Sequence, residues 1–177
     1  RCHMIIRIAE SAGFCFGVKR AVATVYEAAD RKHVYTFGPI IHNEEVVADL
    51  ERHGVSVIHD RAEFKTLSEG TIIIRSHGVS KEIYDEIADA GLKLIDATCP
   101  FVRKIHHIVQ EESQNGRHII ITGNHHHPEV LGIMGWCETG PVVIENREQA
   151  EHIDWPAGTK VSIVSQTTYH YDKFQEL

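Results

Sequence analysis

The sequence predicts an α/β fold built from parallel strands and crossover helices. Short runs of β-branched residues alternate with segments of helical periodicity, which is typical of βαβ units. The chain has 177 residues, of which 42% are hydrophobic, so it can bury the core of one large domain or two small ones. An internal repeat favours two small domains, each with a parallel sheet.

The individual elements are predicted from these periodicities and from the residues that bound them. Asn43 and Ser80 are suitable N-caps, and Gly54, Gly91 and Gly116 are suitable ends for helices. The predicted strands are residues 5–9, 34–37, 55–58, 71–75, 93–95, 118–122, 142–145 and 160–165. The predicted helices are residues 18–29, 44–53, 81–90 and 101–114.

The internal repeat relates the segment that starts at Cys15 to the segment that starts at Cys99. Residues 15–20 align with residues 99–104, and the alignment continues after one inserted residue. The matched pairs are Gly38 with Gly123, His42 with His127 and Glu44 with Glu129. Such similarity predicts two copies of one unit of about 85 residues. We therefore expect domains at 1–95 and 96–177, with a chance similarity between βα units as the alternative.

The charge balance and the apolar pattern limit the partners of the protein. A net charge of −7 disfavours nucleic acid and anionic membranes. No apolar run approaches the ~20 residues of a membrane helix, and no signal segment opens the chain. We therefore expect a cytoplasmic protein with no nucleic-acid or membrane partner. Its 4 cysteines are too few and too widely spaced for a disulfide scaffold, which favours metal or redox use.

The polar residues of the predicted site share one place in the fold. Each follows a predicted strand and lies at or before the start of a helix. They are Cys15, His42, His77, Cys99, His127, Glu129 and Thr167. Because ligands of open α/β sheets bind at the carboxyl ends of the strands, we expect these side chains to converge on one cleft. Free amides at the helix N-termini there favour an anionic ligand.

The two cysteines at helix starts, Cys15 and Cys99, are candidate metal ligands. A helix N-terminus favours the thiolate, which is the form that binds metal, and basic residues follow both cysteines one turn later. Buried, inert cysteines are the alternative. Cys137 lacks these features and is expected to be inert, and no role is predicted for Cys2.

The histidines of the site, His42, His77 and His127, are candidate hydrogen-bond donors to an anion, and a histidine there can titrate near neutral pH. A histidine of this kind, taken singly, is more often a capping or surface residue, but three at equivalent loops favour ligand binding. Glu129 is a candidate proton donor, with stabilisation of a helix dipole as its alternative role, and Thr167 offers a hydroxyl group. The neighbouring histidines that are expected to face solvent are His106, His107, His125 and His126.

Six short motifs, in this order, resemble the LytB-type family of iron–sulfur 4-hydroxy-3-methylbut-2-enyl diphosphate reductases. They are residues 12–22 around Cys15, 38–43, 74–78, 96–100 around Cys99, 127–130 and 166–168. The resemblance extends from about Ile5 to the last residue. It implies small α/β domains around a central cleft, three in the family, of which two are represented here.

The resemblance implies the last step of the non-mevalonate isoprenoid pathway. In that step the hydroxyl group of an allylic diphosphate is removed reductively, which gives isopentenyl and dimethylallyl diphosphate. Cys15 and Cys99 are then two of the three cysteine ligands of a [4Fe-4S] cluster, and Glu129 delivers a proton. The implied substrate-binding residues are His42, His77, His127 and Thr167. An external donor such as ferredoxin or flavodoxin supplies the electrons.

The third cysteine and the third domain of the family are expected beyond Leu177. We therefore expect an incomplete fragment that is inactive alone and holds at most substoichiometric cluster. A diphosphate-binding module without redox chemistry is the alternative function. A zinc hydrolase is disfavoured, because the sequence has neither a close Cys-x-x-Cys pair nor a His-Glu-x-x-His motif.

Overall fold

The computed structural model describes residues 4–10 and 12–177. They contain two parallel sheets with helices packed on them. The strands are β1 (Val34–Phe37), β2 (Val55–Ile58), β3 (Thr71–Ile74), β4 (Lys93–Asp96), β5 (His118–Thr122), β6 (Val142–Ile144) and β7 (Val161–Ser165). The helices are α1 (Phe16–Ala29), α2 (Glu44–Arg52), α3 (Lys81–Asp89), α4 (Pro100–Gln114), α5 (Pro128–Met134), α6 (Arg147–Glu151) and α7 (Tyr171–Gln175), and a 3₁₀ helix spans Arg61–Thr66. The predicted α/β class with parallel sheets is confirmed.

The strand order is built around β1 in one sheet and around β5 in the other. The first sheet has the order β2-β1-β3-β4 and the second the order β6-β5-β7, with every pair parallel. The chain thus adds strands first on one side of β1 or β5 and then on the other. This change of side opens a crevice at the carboxyl ends of the strands, where ligands of such sheets bind.

The first sheet is buried on both faces, as its strand β3 shows. All four residues of β3 are buried, which is expected of a parallel strand with helices on both sides. Ile73 packs into the apolar cluster formed with α1 and α2. Ile72 and Ile74 point the other way, into the cluster formed with α3 and the 3₁₀ helix. Each of these side chains contributes about 1.5–3 kcal/mol through burial.

The second sheet is covered mainly on the face that carries α4 and α5. Ile119 and Ile121 of β5 pack there against Val109 of α4 and Ile133 of α5. On β7 the side chain of Ile163 is 54% exposed. The packing of α4 and α5 on this sheet fixes the start of α5, which carries part of the predicted site.

Two helices of the site begin with capping side chains that hold the preceding loops. The predicted N-cap Asn43 is confirmed, since its side chain accepts a hydrogen bond from an amide in the first turn of α2 at 3.1 Å. His127 caps α5 in the same manner, through its Nδ1 atom. Ser80 precedes α3 but makes no side-chain cap bond. An asparagine N-cap such as Asn43 stabilises a helix by about 1 kcal/mol.

The predicted strand at residues 5–9 is wrong. These residues have no regular secondary structure, and Ile5 and Ile8 are 80% and 84% exposed. Their composition favours a strand, but none of the strand pairs in residues 4–10 and 12–177 includes them. A strand without a neighbour leaves its backbone groups unpaired and is not stable in water.

The other predicted elements agree with the observed bounds within two residues at either end. The pattern did not give the bounds of α5, α6, α7 or the 3₁₀ helix, because such short helices show little periodicity. The first sheet ends at Asp96, next to the predicted domain boundary, and the division at 1–95 and 96–177 stays a prediction. Within the described residues, no helix combines the length and apolar character needed to cross a bilayer.

Candidate active site

Three histidine rings lie next to one another at the carboxyl ends of both sheets. His42 follows β1, His77 follows β3, and His127 precedes α5 in the second sheet. The ring centroids of His42 and His77 are 5.8 Å apart, and those of His77 and His127 are 5.6 Å apart. His77 is therefore the middle member of a cluster to which both sheets contribute.

His77 is held in its neutral form by its surroundings. Burial is the largest cause, followed by the positive charge of Arg75 and the neighbouring rings of His127 and His42, and together they lower the pKa of His77 to about 4. Its Nδ1 atom is inaccessible and has no hydrogen-bond partner in the described part of the chain. The ring is thus uncharged at pH 7 and has a ring nitrogen without a partner.

Glu129 and Thr167 are joined by hydrogen bonds, and Glu129 lies next to the histidine cluster in the sequence. The carboxyl group of Glu129 is 2% exposed and accepts two hydrogen bonds from Thr167. The Thr167 amide donates to Oε1 at 2.6 Å, and the Thr167 hydroxyl donates to Oε2 at 2.7 Å. This contact joins the first turn of α5 to the loop after β7. Because Thr167 is exposed, its hydroxyl group lies between the buried carboxyl and the surface.

The backbone of the same turn sets the tautomer of His127. Its Nδ1 atom accepts a hydrogen bond from the Glu129 amide at 3.2 Å. A neutral ring whose Nδ1 accepts must carry its proton on Nε2. His127 therefore presents Nε2 as a donor to any anion beside it.

The two predicted cysteine ligands are N-caps of neighbouring helices. Cys15 precedes α1 and Cys99 precedes α4, and neither thiol makes a cap hydrogen bond. A Cβ placed on Gly17 would lie 2.7 Å from Sγ of Cys99, so the glycine lets α1 begin directly against that thiol. The Cys99 amide donates to the carbonyl of Ser76 at 2.9 Å. This bond ties the start of α4 to the loop that carries His77.

The remaining cysteines differ from this pair. Cys137 is partly buried, its thiol lies 3.6 Å from the carbonyl of Ile133, and burial raises its pKa to about 11. Such a thiol is a poor metal ligand at neutral pH. Cys2 lies outside the described residues. Within residues 4–10 and 12–177, no group of three or more His, Cys, Asp or Glu side chains is arranged to hold a metal ion.

His106 is the one nearby histidine for which the expectation of exposure is wrong. It is 1% exposed and stacks on Trp136, with ring centroids 5.1 Å apart and an interplanar angle of 17°. A Cβ placed on Gly78 would lie 2.6 Å from its Cε1 atom, so the ring fills the space beneath the His77 loop. Its spacing from Val102 and Val109, which share the buried face of α4, was the signal that sequence reasoning missed. The predicted exposure is confirmed for His107, His125 and His126.

Acidification is expected to destabilise the fold through His106. Burial lowers the pKa of His106 to about 4, whereas the unfolded chain protonates it near 6.5. Between these values the unfolded state binds more protons, so the free energy of unfolding falls as the pH drops. From pH 7 to pH 5 the loss from this residue is about 2 kcal/mol. Urea unfolding at the two pH values measures it.

The matched variants for this test are His106→Phe and His59→Gln. Phenylalanine keeps an aromatic ring against Trp136 but does not titrate. The loss of unfolding free energy between pH 7 and pH 5 should therefore be smaller in His106→Phe by about 2 kcal/mol. The part of the loss that comes from His77 has the same sign and remains. The exposed His59 should be replaceable without effect. An unchanged pH dependence in His106→Phe would contradict the burial argument.

Comparisons with known proteins agree with this arrangement. The family described as LytB protein matches residues 6–177. The 4-hydroxy-3-methylbut-2-enyl diphosphate reductase of Thermoanaerobacter sp. (strain X514) is 50% identical over 169 residues, which cover 93% of this chain and 58% of the relative. The reductase of the same name from Alkaliphilus oremlandii (strain OhILAs) is 42% identical over 177 residues, covering 98% of this chain and 62% of that one.

Two solved structures have the same fold. The E-1-hydroxy-2-methyl-but-2-enyl-4-diphosphate reductase of Plasmodium falciparum superposes with a TM-score of 0.87 at 31% identity, over 94% of this chain and 52% of that one. A (E)-4-hydroxy-3-methyl-but-2-enyl diphosphate reductase, described as the terminal enzyme of the non-mevalonate pathway, gives 0.79 at 39% identity, over 97% and 61%. The chain spans 58% of the length of the first curated relative. Because the family match covers nearly all of its residues, the chain belongs to the LytB family.

Proposed function

We propose that this chain carries the substrate-binding and cluster-binding residues of a 4-hydroxy-3-methylbut-2-enyl diphosphate reductase. The observation that carries the proposal is the convergence of three histidine rings from both sheets, together with two cysteines at the N-cap positions of α1 and α4. Membership of the LytB family and the names of the relatives support the same activity. In this reaction an allylic alcohol takes up two electrons and two protons, and the C–O bond breaks to give an alkene and water.

A [4Fe-4S] cluster is the cofactor that Cys15 and Cys99 fit. Both thiols are free of cap hydrogen bonds, and the close approach at Gly17 brings α1 against Cys99. Thiolates are the usual ligands of such clusters, and helix N-termini favour them. When bound, such a cluster supplies one-electron transfer and a Lewis-acidic iron. The third ligand lies outside this pair, and a ferredoxin or flavodoxin is the proposed electron donor.

His42, His77 and His127 bind the diphosphate of the substrate. His127 offers its Nε2 proton, as fixed by the cap of α5, and the ring of His77 lies between those of His42 and His127. The amides at the start of α2 and α5 face the same crevice and favour an anion. A diphosphate is large enough to contact rings whose centroids lie nearly 6 Å apart.

Glu129 delivers the proton that turns the hydroxyl group into leaving water. The buried carboxyl reaches the crevice through Thr167, whose hydroxyl group is both bonded to Glu129 and exposed. Thr167 therefore orients the substrate hydroxyl. Once Glu129 is protonated, the Thr167 oxygen accepts the carboxyl proton and donates its own hydroxyl proton to the substrate. A positioned acid of this kind contributes about 10²–10⁴-fold to the rate.

Replacement of Glu129 by glutamine tests its role as the acid. Glu129→Gln keeps the size and one acceptor for Thr167 but has no proton to give, so in the full-length reductase turnover should fall by about 10²-fold or more while substrate still binds. Single-turnover kinetics and equilibrium binding separate the two effects. Glu148→Gln on exposed α6 is the matched control, and near-parental turnover in Glu129→Gln would assign the acid elsewhere.

Serine variants of the cysteines test the cofactor. After anaerobic purification of the full-length protein, Cys15→Ser and Cys99→Ser should lose most of the iron, acid-labile sulfide and visible absorption of the parent, since serine is a poor iron ligand. Cys137→Ser should retain all three. Full iron content in either of the first two variants would remove that residue from the ligand set.

The same preparation distinguishes the remaining functions. A parent protein that contains zinc without sulfide would support a hydrolase. A colourless, metal-free protein that still binds diphosphate would support a binding module without redox chemistry.

A further inference from the structure

Arg75 places a half-buried positive charge at the same end of the first sheet as the histidines. It follows β3 directly, and its side chain is largely covered. Its Nε atom is inaccessible and has no hydrogen-bond partner in the described part of the chain. Among the ion pairs of residues 4–10 and 12–177, none includes Arg75.

Four other arginines of the described residues do have a partner. Arg61 and Arg147 are exposed, Arg117 is half-buried, and all three pair with glutamates at 2.8–2.9 Å. Arg20 also has an inaccessible Nε atom, but its Nη2 group donates to the carbonyl of Thr98 at 2.9 Å. Arg75 makes no such bond within the described residues.

The position of the Arg75 guanidinium is set by Gly38. Phe37 of β1 is paired with Ile74 of β3, so Gly38 and Arg75 are the next residues of the two strands. Gly38 has a φ of +68°, and a Cβ placed there would lie 2.9 Å from Nη1 of Arg75. Glycine is thus needed both for the left-handed backbone and for the room that the guanidinium occupies. The loop that starts at Gly38 leads to His42.

A buried guanidinium without a carboxylate is costly, because desolvation of its charge is not offset by an ion pair. Burial lowers the pKa of Arg75, yet an arginine remains protonated at neutral pH. His77 beside it is neutral there, because its own pKa is about 4. At the middle of the histidine cluster, the fixed positive charge therefore comes from Arg75.

We propose that Arg75 is a further anion-binding residue of this site, and that its guanidinium contacts the diphosphate beside His42 and His77. This inference rests on the proposed function and adds to it the residue that supplies positive charge to the site. Guanidinium binds phosphoryl oxygens through two parallel hydrogen bonds, which an imidazole cannot do. The diphosphate supplies the counter-charge that the protein does not.

Calorimetric titration of the full-length protein with inorganic diphosphate tests the proposal. Arg75→Gln should raise the dissociation constant at least tenfold and reduce its dependence on salt concentration, because one charge contact is lost. Arg52→Gln, which removes an exposed charge at the far end of α2, is the matched control and should change neither quantity. Arg75→Lys should be weakened three- to tenfold, since lysine restores the charge but not the paired hydrogen bonds.

Unfolding in urea separates binding from a structural role. Because Arg75 is half-buried without a partner in the described residues, Arg75→Gln should be at least as stable as the parent. If that variant does not fold, Arg75→Lys decides the matter, and parental affinity in it overturns the proposal. Parental affinity in a folded Arg75→Gln also overturns it and leaves the proposed function intact. Absence of diphosphate binding by the parent would overturn both.

Discussion

The packing of one loop against the second sheet determines the geometry of the whole site. The loop between β3 and α3 has Gly78 lying on the buried ring of His106, and Trp136 donates from its Nε1 atom to the carbonyl of Val79 at 2.9 Å. His106 stacks on Trp136, so both contacts are made by one pair of packed aromatic rings. Since His77 immediately precedes Gly78, this ring pair sets the position of His77 relative to the second sheet.

The two sheets with their helices make the same kind of contribution to this site. The helix packed on each sheet begins after a cysteine, Cys15 for α1 or Cys99 for α4, and a histidine follows β1 or β5, His42 or His127. Parallel strands bring such residues to one edge because all their carboxyl ends point the same way. The two contributions differ at the buried carboxyl of Glu129, which Thr167 holds through two hydrogen bonds. In the proposed function, a ligand bound between the two sheets meets thiols and imidazoles from both and an acid from only one.

The sequence predicted the strands and the residues at their ends, because alternation of apolar runs with helical periodicity is a local property. It failed at residues 5–9, where a strand needs a neighbour that local composition does not reveal. It also failed at His106, whose burial depends on Trp136 and on a loop from the other sheet. The charge of Arg75 was missed for the same reason, since only the fold shows that no carboxylate in the described residues faces it. Local pattern therefore predicts which polar groups lie at the ends of strands, and tertiary packing decides their protonation and their partners.

The central claim is that both sheets form one diphosphate site, and histidine NMR tests it most directly. In the full-length protein, the ring Cε1–H signals are followed during titration with inorganic diphosphate. The signals of His42, His77 and His127 should shift together with a single dissociation constant, while those of the exposed His59 and His152 stay in place. Shifts confined to the histidines of one sheet, or different dissociation constants for His42 and His127, would contradict a shared site.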